Sequence, residues 1–201
     1  MIEEIIPGTN TKLRILRIIY ENERINLSNL IKKAKTSPNM VLNYVNKLSK
    51  YGIIKEEKSG GKKKIHVRNL MPNLLSNESK LIYSLVEFDK RELFFKKYKE
   101  LKPIFGQLHG LYGQNVKFVI VYGSYARHAA AKESDLDLLF VGKLDSEKRK
   151  RLDEIFVTLD AEPSVKVESL KQFKNNLAKP LYKSIMREHV VVYGEYNFIG
   201  V

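Results

Sequence analysis

The stretch that decides the fold is residues 117–141, KFVIVYGSYARHAAAKESDLDLLFV. Its first six residues form an apolar, β-branched run, which predicts a buried strand, and the run stops at Gly123-Ser124, a pair suited to a tight turn. A short helical piece, Tyr125 to Ala131, is expected next. Ser134-Asp135-Leu136-Asp137 then leads directly into Leu138-Leu139-Phe140-Val141, a second buried strand. Residues two apart on a strand face the same way, so Asp135 and Asp137 project together while Leu136 and Leu138 go to the core. Two aligned carboxylates at the head of an apolar strand repel each other, and a hard divalent cation is the natural occupant of the space between them.

The same residues carry a family resemblance. Gly123-Ser124, ten intervening residues and Asp135-Leu136-Asp137 resemble the signature of the minimal nucleotidyltransferases of the DNA polymerase beta superfamily. Tyr125-Ala126-Arg127, Ser134 and the closing run Arg187 to Gly194 are similar to that family as well. The resemblance implies a mixed sheet flanked by helices over 114–201. It also implies a site in which Gly123, Ser124 and Arg127 bind nucleotide, while Asp135 and Asp137 hold Mg²⁺ or Mn²⁺ against the triphosphate of an NTP. A third carboxylate on a neighbouring strand would complete a catalytic and metal-binding set. In the run VKVESL, Lys166 and Glu168 share a face, and Glu168 is the acid available, although the family register places Lys166 there. His128 is a second departure, because the family has glycine after the arginine.

Working outward, residues 1–70 read as a separate module. Helical spacing predicts one helix over Asn10 to Tyr20, a second capped by Ser28 and a third opened by Ser37-Pro38, where proline lacks only an N–H that would be orphaned anyway. The third helix has an apolar stripe of Val41, Tyr44, Val45 and Leu48, with Asn39, Asn43, Asn46, Lys47 and Lys50 opposite. Two alternating runs around Gly60-Gly61 then predict a β-hairpin. Three helices and a hairpin resemble the winged helix, which implies that Asn39, Asn43, Tyr44 and Lys47 read duplex DNA while Lys62, Lys63 and Lys64 clamp phosphates. The charge agrees. Of a formal net charge of +13, residues 1–70 hold +9, from 15 basic and 6 acidic side chains, the footprint of a polyanion-binding module. A helical module serving only dimerisation or protein contact is the competing reading, and His66 reads as an incidental surface residue.

Residues 71–113 are expected to be a helical connector. Leu81, Leu85 and Phe88 are grouped on one helix face by spacing, and Leu93, Phe94, Tyr98 and Leu101 on the next. His109 has no acidic or histidine neighbour one turn away to make it a ligand. The whole reads as an α+β chain of 201 residues with no cysteine, which excludes disulfides and thiolate metal sites. It has no run near the roughly 18 apolar residues of a membrane span. With Glu3 and Glu4 near the start in place of a basic secretory leader, a cytoplasmic protein is expected. Two functions are consistent with these residues. One is transfer of a nucleoside monophosphate from an NTP to an unidentified hydroxyl acceptor; the family analogy adds that some members act as antitoxins by nucleotidylating a partner toxin. The other is a transcriptional regulator whose C-terminal domain senses nucleotide, or mediates assembly such as homodimerisation, without turnover.

Overall fold

The computed structural model describes residues 2–60, 66–112, 115–157 and 163–201, which divide into two compact units, Met1–Val86 and Glu87–Ile199. The predicted lysine clamps Lys62, Lys63 and Lys64 lie outside the described residues.

In the first unit, α1 (Asn10–Tyr20), α2 (Leu27–Ala34) and α3 (Pro38–Lys50) precede a hairpin of β2 (Ile54–Gly60) and β3 (His66–Pro72). Each helix starts where a short polar side chain can cap it: Thr9, Asn26 and Ser37 accept the backbone N–H of Lys12, Asn29 and Met40. The second cap is Asn26 and not Ser28, because a two-residue strand, β1 (Ile25–Asn26), ends directly on the helix. Strand order is β1-β3-β2, all antiparallel, with Ile25 opposite Leu70. Ile15, Leu16, Ile19, Leu30, Val41, Val45 and Leu48 are fully buried and make the core beneath the sheet. This is a winged helix.

Tyr44 is a correction. It was grouped with the DNA readers, yet it belongs to the apolar stripe of α3, where it is 2% exposed and its hydroxyl donates to the carbonyl of Ile5 at 2.7 Å. Tyr44→Phe is therefore expected to lower stability by about 1–3 kcal/mol, the cost of a buried acceptor left without its donor, and to leave DNA affinity unchanged. Chemical denaturation and fluorescence anisotropy with duplex DNA measure the two effects.

The helix α4 (Asn77–Lys97) also departs from its expected face. Leu81, Leu85 and Phe88 are exposed, and the buried ladder is Ser79, Ile82, Tyr83, Val86 and Glu87. Apolar spacing missed it because two members are polar and find partners: the Ser79 hydroxyl donates to Gly52 O at 3.3 Å, and Glu87 meets His189 and Lys90 at 3.0 and 3.1 Å. Burial alone would raise the Glu87 carboxyl, but His189 and Lys90 beside it hold it down at about 2.

The second unit is built on a four-stranded mixed sheet of order β6-β5-β4-β7, comprising β4 (Val116–Val121), β5 (Leu136–Gly142), β6 (Pro163–Glu168) and β7 (Val190–Tyr193). Strand β4 is antiparallel to β5 and β7, and β5 is parallel to β6. Phe94, Tyr98 and Leu101, with Phe105, Leu108 and Tyr112 from α5 (Leu101–Tyr112), pack on one face against Val119, Val121, Leu138 and Phe140. The other face is closed by α8 (Leu170–Asn176), α9 (Pro180–Arg187) and α10 (Glu195–Phe198), whose Phe173 and Phe198 meet Phe118 edge-on at 5.3 and 5.4 Å. The helix α7 (Ser146–Phe156) adds Leu152 and Phe156 to the first face.

Candidate active site

Strand β4 leaves the sheet at Val121, and its last hydrogen bond, Tyr122 N–H to Asp137 O at 3.1 Å, sets the exit of β4 beside the start of β5. The backbone then turns at Gly123, with φ of +71°, into the four-residue α6 (Gly123–Ala126). Glycine is required there twice over. A left-handed φ disfavours any side chain, and a Cβ would lie 2.1 Å from Asp137 Oδ2. The Gly-Ser turn and the second aspartate are thus a single packed unit, which accounts for both motifs occurring together. Asp135 lies just before β5 and is exposed, whereas Asp137, within the strand, is half-buried.

The electrostatics favour a cation. Asp137 is pushed above the usual carboxylate range by its burial and by the charge of Asp135, with only the Arg127 guanidinium opposing. Arg127 is also drawn toward Glu188, 3.8 Å away. Around this group opens a cleft of about 350 Å³ lined by Tyr122, Gly123, Arg127, Asp137, Leu181, Ser184, Ile185 and Glu188. Its far wall is α9, which no sequence motif marked. The only hint in the chain was the resemblance of the Arg187 to Gly194 run to the family's closing passage.

His128 explains a departure from the family pattern. Its φ is +57°, a conformation that a glycine after the arginine adopts freely and that costs another residue roughly 1–2 kcal/mol. Here the imidazole stacks on Tyr98, 6.1 Å between centroids with planes 4° apart, and Lys97 donates to the His128 carbonyl.

The expected third acid is not brought to the pair. In the parallel register Asp137 lies opposite Ser164, Leu139 opposite Lys166 and Val141 opposite Glu168. Glu168 therefore sits four residues farther along the strand, about 13 Å from the level of Asp137. It is 8% exposed and already engaged: Tyr182 donates to it, Lys166 Nζ lies 3.0 Å away and Asn176 Nδ2 3.5 Å. Burial would raise its carboxyl, but these donors hold it below the ordinary value. Lys166 in turn donates to the Tyr182 hydroxyl at 2.7 Å. This Lys166-Glu168-Tyr182 network was not visible in the sequence, because Tyr182 comes from α9. Among the described residues no three of His, Cys, Asp and Glu are grouped so as to hold a metal ion. The two aspartates alone fit a cation that brings its other ligands with it, as a metal bound to a triphosphate does.

These features agree with the comparisons to known proteins. Residues 99–197 match the model of the polymerase beta nucleotidyltransferase family. Over 100 residues, 47% of this chain, the sequence is 30% identical to a candidate protein adenylyltransferase of Methanocaldococcus jannaschii, 96% of which is covered. The chain belongs to the polymerase beta nucleotidyltransferase family. A candidate nucleotidyltransferase from Sulfolobus solfataricus, known from its crystal structure, is 19% identical over 52% of this chain and 84% of that one, with a TM-score of 0.30. Residues 9–55 match the winged helix-turn-helix DNA-binding model.

In that N-terminal module Asn39 and Asn43 are exposed on α3, while Lys47 is half-exposed with Nζ 3.7 Å from Glu4. Arg68, on the wing strand β3, donates to Asn46 Oδ1 at 3.0 Å and pairs with Glu56 at 2.8 Å, which ties the wing to the polar face of α3. No helix among the described residues is long and apolar enough to cross a membrane.

Proposed function

We propose that this family member transfers a nucleoside monophosphate, from ATP in the first instance, to a hydroxyl on a protein, and that its winged helix docks it on duplex DNA. The observation that carries the first part is the contact of Gly123 with Asp137 at the floor of the cleft: a turn without a side chain beside a carboxylate pair that repels itself. Gly123 lets phosphate oxygens approach the backbone, the Ser124 hydroxyl and Arg127 guanidinium bind them, and Asp135 and Asp137 would hold Mg²⁺ or Mn²⁺. When bound, that ion neutralises charge on the triphosphate. In the reaction the acceptor oxygen attacks the α-phosphorus in line, the bond from that phosphorus to the bridging oxygen breaks, and pyrophosphate leaves with the electron pair. The hydroxyl proton passes to solvent. Such a transfer asks chiefly for positioning and charge compensation, which two aspartates and an arginine supply. The protein acceptor is suggested by the name of the relative.

One observation favours the second reading, a regulator that holds nucleotide without turnover: Glu168 is committed to Lys166 and Tyr182. Incubation with ATP labelled on the α- or the γ-phosphate separates the two. Transfer of α-label but not γ-label to protein supports the enzyme, and retention of neither by any tested acceptor, despite nucleotide binding, supports the regulator. Glu168→Gln is expected to leave α-label transfer in place and to lower stability. Because the folded-state Glu168 carboxyl is depressed, the stability it contributes is present at neutral pH and lost as pH falls through that depressed value. The wild type is therefore expected to lose its advantage over Glu168→Gln in acid, as thermal melts across pH will show.

For DNA, the exposed Asn39 and Asn43 are the base-reading candidates and the wing lysines the phosphate clamps. Removing both asparagines is expected to weaken specific binding without altering its salt dependence. Changing Lys62, Lys63 and Lys64 to Ala is expected to reduce the slope of log affinity against log salt by roughly three. Equal slopes in a salt titration would count against the wing assignment.

A further inference from the structure

The helix that walls the cleft, α9, and the helix before it, α8, carry charge of one sign. From Ser169 to Arg187 the chain contains no aspartate or glutamate but five cations, Lys171, Lys174, Lys179, Lys183 and Arg187. All five are exposed, and among the described residues none has an acidic partner. On α7 of the same unit, by contrast, part of the basic run Lys148 to Arg151 meets acids: Lys148 lies 3.7 Å from Asp145 and Arg149 3.7 Å from Asp153. Leaving α8 and α9 without counter-charges raises self-repulsion along one surface, which an anionic partner would relieve.

The placement along α9 and its N-cap residue Lys179 is regular. Lys179, Lys183 and Arg187 follow at intervals of four residues, so they form one ridge about 12 Å long. The adjacent ridge carries Leu181, Ser184 and Glu188, which line the cleft. A partner lying along the basic ridge therefore has its neighbouring groups at the cleft mouth. Leu181 and Met186 are also exposed, at 46% and 38%, whereas the aromatic side chains of these helices, Phe173 and Tyr182, are buried. Exposed aliphatic anchors within a charged rim suit a protein partner, and a surface for single-stranded nucleic acid would present aromatic platforms for bases.

We infer that the α8–α9 surface docks an acidic stretch of the acceptor protein, steering its hydroxyl into the cleft over Leu181 and Ser184. This rests on the transferase reading above and names the acceptor's chemistry. The probe is the random copolymer poly(Glu,Tyr), which combines acidic residues with hydroxyl acceptors, and poly(U) is the nucleic-acid comparison. With the full chain, lysine acetylation read by mass spectrometry is expected to slow several-fold at Lys179 and Lys183 when poly(Glu,Tyr) is present, and not with poly(U). Protection by poly(U) instead would assign the surface to nucleic acid, and no protection by either would leave it a solvated face; both overturn the inference. Reversing Lys179, Lys183 and Arg187 to Glu is expected to cut α-label transfer to the copolymer at least tenfold, roughly, as like charges are brought together. The same variant should keep its thermal stabilisation by ATP and Mg²⁺. Loss of that stabilisation would mean the ridge serves the nucleotide, against the inference. Protection in a wild type that transfers no label would count against the transferase reading alone.

Discussion

Gly123→Ala is expected to abolish function while costing only part of the fold. The left-handed φ makes alanine strained by about 1–2 kcal/mol, which for a domain of this size lowers the melting temperature by roughly 4–8 °C per kcal/mol. The new Cβ would also overlap Asp137 Oδ2, the far end of a side chain that can rotate away. That escape is mild for folding and severe for the site, because it removes the carboxylate from its place beside Asp135. Misplacing a group in this way by an ångström costs on the order of a hundredfold in rate. Nucleotide-induced stabilisation and α-label transfer should therefore both fall to background in a protein that still folds. An alanine variant that melts lower yet binds and transfers normally would show that the Gly123 contact with Asp137 is only structural.

Asp137→Asn is expected to act in opposite directions on the free and the ligated protein. The folded-state Asp137 carboxyl is raised by burial and by Asp135, so the folded chain binds that proton more tightly than the unfolded chain does. Stability linked to Asp137 is then fully present below the ordinary aspartate value and is lost as pH rises through the raised one, leaving a penalty at neutral pH. Asparagine removes this penalty, so the variant without ligand should melt higher than wild type at pH 7 and converge with it in acid. In the presence of ATP and Mg²⁺ the order should reverse. A ligand at a hundred times its dissociation constant adds about 2.7 kcal/mol to the wild type, and the variant forgoes it. A residue that lowers stability and supports ligation is serving the site, whereas a merely structural aspartate would be missed in both conditions.

The strands, the Gly-Ser turn and the paired aspartates were legible in the sequence because each is local: a β-branched run, a glycine at a sharp turn, acids two apart on a strand. The cap Ser37 with Pro38 was legible for the same reason. Spacing placed Tyr44 in the apolar stripe while the winged-helix resemblance placed it among the DNA readers, and the Ile5 carbonyl, 39 residues away, decides for the core. The α4 face was misplaced because Ser79 and Glu87 are buried with partners far along the chain. For Glu168 the alternation of VKVESL correctly put it on one face with Lys166, but a shared face says nothing of distance along a strand. That needed the register between β5 and β6. The far wall of the cleft, α9, carries no motif, since Leu181, Ser184 and Ile185 act there through shape and position.

The measurement that bears most directly on the central claim, a divalent-metal and nucleotide site made by Gly123, Ser124, Asp135 and Asp137, is calorimetric titration of ATP into the full chain with and without Mg²⁺. The same titration is repeated with Asp135 and Asp137 both changed to Asn. The account expects a single saturable site in the wild type that depends on Mg²⁺ and disappears in the double variant. ATP binding that persists undiminished without the two carboxylates, or a wild type that takes up neither ATP nor any other NTP with Mg²⁺ or Mn²⁺, would contradict it.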